Sequence, residues 1–138
     1  MPKLIGRVSP HLTLAELACH DEAKTPYPEV WLPTRGKALA AAFEAVRAIW
    51  GLEIRISSAY RTSLWNAQVG GALESQHVEG RALDLLPPDG VPVYDFWVAI
   101  LNVARAAGIR GVGYAAPAKG GFVHIDIRPG TGLTSWRY

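Results

Sequence analysis

The order of periodicities along the chain predicts an α+β domain. Two stretches, Thr34–Trp50 and Tyr94–Ala107, carry apolar residues at helical spacing. Short alternating runs, the mark of strands, fall between and after them. Helices thus precede, interrupt and follow a few strands, and a small, mainly antiparallel sheet flanked by helices is expected. With 138 residues, the chain suffices for one domain, 1–138, that buries its own core without disulfides.

Taken in order, His11–Ala18 reads as a short helix, with Thr13 as N-cap and Glu16 completing a capping box. The proline-punctuated stretch Lys24–Pro33 reads as a surface loop. Thr34–Trp50 is expected as a long helix whose stripe is Leu39, Phe43, Val46 and Trp50, ended by Gly51. Leu52–Ser57 then alternates, with Leu52, Ile54 and Ile56 on one face and Glu53 and Arg55 on the other, as a half-buried strand does. Ser63–Val69 is expected as a short helix closed by Gly70-Gly71, and Arg81–Leu86 as a second strand stopped by Pro87-Pro88-Asp89-Gly90. Tyr94–Ala107 forms the second long helix through Phe96, Ile100, Val103 and Ala107. Gly111–Tyr114 and Gly121–Arg128 supply two further strands.

Composition narrows the function. At 49% hydrophobic and 19% charged residues the chain is an ordinary globular one, not a disordered one. A net charge of +2 without any Lys/Arg run argues against a nucleic-acid partner, though it suits weak attraction to an anionic polymer. Cys19 is the single cysteine, which excludes an intrachain disulfide and a cysteine-built zinc knot; it is expected as a small buried apolar residue. Met1–Pro10 holds Lys3 and Arg7 but no continuous apolar segment, so no secretory signal is visible. No apolar run approaches the ~18 residues of a membrane span. A soluble monomer is expected.

The chemistry concentrates in two segments. Ser75-Gln76-His77-Val78-Glu79-Gly80-Arg81-Ala82-Leu83-Asp84 is answered by Phe122-Val123-His124-Ile125-Asp126. In the last strand Val123, Ile125 and Ile127 point to the core while His124, Asp126 and Arg128 share the opposite face. In the Arg81–Leu86 strand Ala82 and Asp84 share a face, and Gly80 lets the chain turn between His77 and Asp84. If the two strands pair, His77, Asp84 and His124 converge. Two imidazoles and a carboxylate suit zinc. Three protein ligands leave a fourth position open, as in catalytic rather than structural zinc sites.

These residues resemble the zinc D-Ala-D-Ala carboxypeptidase and L-alanyl-D-glutamate endopeptidase family, related to lysostaphin-like enzymes and to the hedgehog domain. The family pattern Ser-x-His-x-x-Gly-x-Ala-x-Asp is matched at every fixed position from Ser75 to Asp84. The likeness extends over LTLAELACHD, the ISSAYRTSLWNAQVGGALESQHVEGRALDL block, GVGYAAPAKGGFVHIDIR and Trp136. Phe-Val-His-x-Asp is similar to the short murein endopeptidases and phage-type members. The resemblance implies Zn2+ held by His77, Asp84 and His124, with peptidoglycan stem peptides as substrate at the bacterial cell wall.

Arg61 matches a family arginine near the zinc, where a guanidinium can hold a substrate carboxylate or steady an oxyanion. Ser75 and Gln76 are expected around the metal or at the substrate, and Tyr114 as a donor to a tetrahedral intermediate or as an edge aromatic. Better-known branches carry an acidic residue three positions before the last zinc ligand; here that position is Gly121. Asp126 is then the leading candidate base, or else a carboxylate that orients a ligand histidine, with Glu74 and Glu79 as alternatives. His11 and His20 have no partner at ligand spacing. The expected activity is that of an endopeptidase in preference to a carboxypeptidase. The rival readings are a zinc-stabilised binding module without catalysis and a phage structural component.

Overall fold

The computed structural model describes residues 6–138. The start of Met1–Pro10, with Lys3, lies outside the described residues. The architecture is α+β: a five-stranded sheet with helices packed on one face and a cleft on the other.

A two-stranded antiparallel ribbon, β1 (Arg7–Ser9) and β2 (Leu12–Thr13), leads into the short helix α1 (Leu14–Leu17). The helix expected over His11–Ala18 is therefore shorter, because Leu12 and Thr13 are held in the ribbon. Its capping box forms as expected: Thr13 Oγ1 accepts from the Glu16 N–H and the Glu16 carboxylate accepts from the Thr13 N–H. A 3₁₀ turn (Glu29–Trp31) and a π-helical turn (Leu32–Gly36) precede α2 (Lys37–Arg47). The long helix thus begins after the turn that contains Pro33, and Leu39, Phe43 and Val46 are buried along it as the spacing requires.

The first strand of the main sheet, β3, is confined to Ile56–Ser58; Leu52 lies on the surface, 47% exposed, and only Ile54 of the earlier alternation reaches the core. After α3 (Ser63–Gln68) come β4 (Ala82–Leu85), α4 (Val93–Ala107), β5 (Gly111–Ala115), β6 (Phe122–Asp126) and β7 (Thr134–Arg137). The buried stripe of α4 is Val93, Phe96, Ile100 and Ala104, so Ala104 takes the place expected of Val103, while Ala107 packs partly buried against the core. Strand order is β3-β4-β6-β5-β7, antiparallel except for the parallel β5–β7 pair. β7 has no counterpart among the strands expected from the sequence, since Thr134–Arg137 is too short and too polar to alternate visibly.

One face of this sheet presents Leu83, Leu85, Val112, Val123 and Ile125 to α2 and α4. Removal of these side chains from water, about 25 cal/mol per Å² of apolar surface, is what anchors the sheet. Cys19 is buried, as expected of a small apolar residue. No helix among the described residues is long and apolar enough to cross a membrane.

Candidate metal centre and cleft

The opposite face carries the polar residues, and strand register lines them up. Asp84 of β4 pairs with His124 of β6, His124 with Gly113 of β5, and Gly113 with Trp136 of β7. One residue row therefore runs Asp84–His124–Gly113–Trp136 across four strands. The adjacent row holds Ala82, Asp126 and Gly111.

His77 reaches this row from the loop before β4. Gln76 O accepts from the Arg81 N–H and His77 O from the Gly80 N–H, which closes a tight turn, while the Arg61 N–H holds His77 O from the β3 side. Gly80 sits in that turn at φ +69°, and a Cβ there would meet the Trp31 ring at 2.6 Å. No other residue fits so close to the cluster of Tyr27, Trp31 and Tyr60.

The donor atoms of His77, Asp84 and His124 all lie within 4.8 Å of one another. Their hydrogen bonds fix the tautomers. His77 Nδ1 is 2.7 Å from the Ala59 carbonyl, which can only accept, so Nδ1 carries the proton and Nε2 presents its lone pair. His124 Nε2 is 2.7 Å from an Asp126 oxygen, which makes Nε2 a donor and turns Nδ1 inward. His77 Nε2 and His124 Nδ1 then both stand 3.1 Å from Asp84 Oδ1. Three electron-rich atoms face a common point with little water, and such a set is stable only around a proton or a cation. The chemistry of this donor set fits a divalent ion of the zinc class.

The charges around the trio act in the same sense. Burial opposes ionisation of Asp84, yet in the ion-free protein, where a proton takes the common point, its contacts with His124 and His77 outweigh burial and hold the carboxyl well below the usual range. Burial likewise opposes Asp126, and is outweighed by the Arg128 guanidinium and His124.

Each residue singled out in the sequence has a definite place. Asp126 is fully buried behind His124: besides His124 it accepts from Arg128 Nε at 2.8 Å, Arg128 Nη2 at 2.7 Å and the Arg128 N–H at 3.1 Å. Arg61 lies against the trio, with Nη2 3.6 Å from Asp84 Oδ2, and is pinned by Ser58 Oγ and Asn66 Oδ1 at 3.1 Å each. Ser75 Oγ accepts from the His77 N–H at 3.2 Å. Gln76 lines the cleft, and its buried Oε1 has no partner among the described residues. Glu74 is exposed at the cleft edge, whereas Glu79 turns away toward Arg35 and Arg81. Tyr114 is not brought to the trio: it pairs with Val123 and stacks on Trp97 of α4 at 4.8 Å, on the helical side of the sheet. His11 bonds Glu44, away from the site.

The cleft has a volume of about 430 Å³, and its walls include Arg61, Glu74, Phe122, Arg128, Trp136 and Tyr138. Three contributors were given no role by the sequence reading, although it placed Arg128 on the face of His124 and Trp136 within the family likeness. Asn66 is buried, holding Arg61 and the Ala72 carbonyl together. Arg128 locks Asp126. Trp136 lies 5.2 Å from the His124 ring. A signal for the last two was present in the alternate glycines of Gly111-Val112-Gly113. A methyl group at Gly111 would overlap the Asp126 carboxylate, and one at Gly113 would meet Trp136 Nε1 at 2.6 Å. Asp126 is held by three donor groups and cannot yield, but half-buried Trp136 can swing out. Gly111→Ala should therefore destabilise the protein by about 1–3 kcal/mol, and Gly113→Ala by clearly less. Denaturant midpoints of the two variants check this ordering.

A buried pair of histidines and a carboxylate, opening on a cleft and backed by a second carboxylate, is the arrangement of a metallopeptidase. A family model described as Peptidase M15 matches residues 10–126. The chain belongs to this peptidase family. It is also 31% identical over 115 residues to a protein named glutamate–tRNA ligase from Polaromonas naphthalenivorans (strain CJ2). That match covers 77% of this chain but spans only 24% of the length of the relative, and the ligase name is that of the whole longer protein.

Proposed function

We propose that the chain is a zinc-dependent peptidase that hydrolyses peptide bonds in bacterial peptidoglycan, within stem peptides or cross-links, as a monomer acting at the cell wall. The observation that carries this reading is the convergence of three lone-pair donors, with both histidine tautomers fixed, in a chain of the peptidase M15 family. The preference for an endopeptidase over a D-Ala-D-Ala carboxypeptidase rests on the likeness of Phe122–Asp126 to short murein and phage-type enzymes.

His77, Asp84 and His124 are the proposed ligands. Bound there, zinc supplies Lewis acidity, polarising a peptide carbonyl and acidifying water. Asp126 keeps the His124 Nε2 proton in place and so presents Nδ1 as a ligand, the role of a carboxylate behind a metal-bound histidine. Arg61, pinned against Asp84, offers its remaining N–H groups to negative charge on the substrate. Glu74 is the carboxylate proposed to take the proton from water: it lines the cleft and has no cationic partner among the described residues. Asp126, first in line from the sequence, has both oxygens engaged. Ser75 steadies the loop that carries His77, and Gln76 offers its orphan oxygen toward substrate or backbone.

The second reading, a zinc-stabilised binding module without catalysis, is favoured by one observation: Gly121 occupies the place of the usual acid, in a turn at φ +63°. Digestion of purified sacculi separates the two. Wild-type protein with zinc is expected to release new amino groups, His124→Ala none, and mass spectrometry of the fragments identifies the bond. Zinc binding and sacculus binding without fragments would establish the module instead.

A further inference from the structure

Tyr138 stands beside the metal trio, at the far end of the sheet from Arg61. It continues β7, its N–H bonding the Tyr114 carbonyl at 3.0 Å. Side chains two apart on a strand share a face, so Tyr138 projects on the same side as Trp136, the residue whose ring packs tilted against His124. Its ring packs on Phe122 at 5.3 Å and on Trp136 at 6.3 Å, and it lines the cleft with His77, Asp84 and His124 while half exposed. The ring is thus held from behind, and the residue stays half exposed at the cleft. Burial first, then the charge of Asp84, raises the phenol pKa, partly offset by Trp136 and by Arg61, so the hydroxyl keeps its proton at neutral pH. It faces the trio's charges across the cleft from an otherwise aromatic wall.

We propose that the Tyr138 hydroxyl is a catalytic group that donates a hydrogen bond to the carbonyl oxygen of the scissile peptide as that oxygen gains negative charge. This inference rests on the peptidase reading above. Arg61 enters the cleft from the β3 side and Tyr138 from the β7 side, so the two donors line it from opposite ends of the sheet. The hydrogen-bonding task considered for Tyr114 in the sequence falls instead to a tyrosine on the cleft face. Phe122 and Trp136 act here as positioning residues that fix the ring.

The test is Tyr138→Phe, which keeps the ring and removes only the donor. With soluble muropeptides as substrate and zinc content measured, kcat is expected to fall roughly 10²-fold, as for loss of one oxyanion donor, with KM within about twofold and zinc content unchanged. A tetrahedral phosphinate analogue of the peptide should lose affinity by a similar factor, which a merely structural change would not produce. Should wild-type enzyme cleave and Tyr138→Phe match its kcat, the assignment of Tyr138 is overturned and the peptidase reading stands. Should the wild-type protein, loaded with zinc, leave muropeptides intact, both fall together.

Discussion

Asp84→Asn is expected to abolish zinc uptake and hydrolysis while the chain still folds. Asp84 Oδ1 lies at 3.1 Å from both inward-facing histidine nitrogens, so among the described residues it contributes the one negative charge at the point where they meet. Asparagine has the same shape but offers a neutral oxygen, a poor exchange for an ion that favours anionic and imidazole donors. The affinity loss should exceed the ~10–100-fold typical of outer partners. The same substitution removes the negative charge that balances Arg61, at a cost of about 1–3 kcal/mol in the ion-free protein. Equilibrium dialysis with zinc, alongside circular dichroism, reads both effects. An Asp84→Asn protein that binds zinc as tightly as wild type would remove the trio from contention.

Protons give a second readout of the same geometry. Burial lowers the pKa of His77 despite its contact with Asp84. Burial alone would lower His124 also, but its hydrogen bonds to Asp126 and Asp84 prevail and raise it. In the ion-free protein the raised pKa favours a second proton on His124, on the Nδ1 that faces Asp84, and a metal ion must displace it. Zinc uptake near pH ~6.5 should release up to about one proton per ion, countable by calorimetry in buffers of differing ionisation enthalpy. Stability without metal follows from the same directions. The His124 contribution is present below its unfolded pKa and is lost as pH rises through the raised folded value. The His77 contribution, with a lowered folded pKa, is present above the unfolded value and is lost as pH falls. Asp84 and Asp126 contribute above ~3.9 and lose that contribution as pH falls through their depressed folded values.

How much of this was written in the sequence depends on how local the determinant is. The pairing of Asp84 with His124 was legible, because alternation fixed which face each residue takes and a single register then sets them opposite. The capping box of α1 was legible for the same reason: its partners lie three residues apart. Tertiary choices were not. Whether Leu52–Ser57 pairs along its whole length depends on where β4 ends, and β4 ends at Leu85, two residues before the first proline. Tyr114 was weighed as a donor or an edge aromatic and Tyr138 was not singled out; only the strand register puts one against α4 and the other in the cleft. Arg128 was seen to share a face with Asp126, but that it would spend itself on that carboxylate, and so occupy the leading candidate base, required the chain to turn after β6. Gly111 and Gly113 were read as strand residues when their meaning was space, reserved for side chains arriving from β6 and β7.

Asp126→Asn and Glu74→Gln should fail in different ways, and the difference decides where the proton goes. Asparagine in place of Asp126 can still accept from Arg128, but it no longer presents two charged oxygens to Arg128 and His124, and the bond that sets the His124 tautomer weakens. Zinc affinity is expected to fall ~10–100-fold, while kcat at saturating zinc recovers much of the wild-type value because no proton-accepting group has been removed. Glu74 touches neither histidine in the hydrogen-bonding network, so Glu74→Gln should leave zinc affinity unchanged and lower kcat by roughly 10²–10⁴, the loss typical of a general base. Its acid limb in the pH profile of kcat should vanish with it, whereas that limb should persist in Asp126→Asn. The reverse pattern, full zinc affinity with kcat lost in Asp126→Asn and normal turnover in Glu74→Gln, would mean that the buried carboxylate does exchange protons with the cleft. That result would require Arg128 to release it during turnover, since all the donors that now hold Asp126 come from Arg128 and His124.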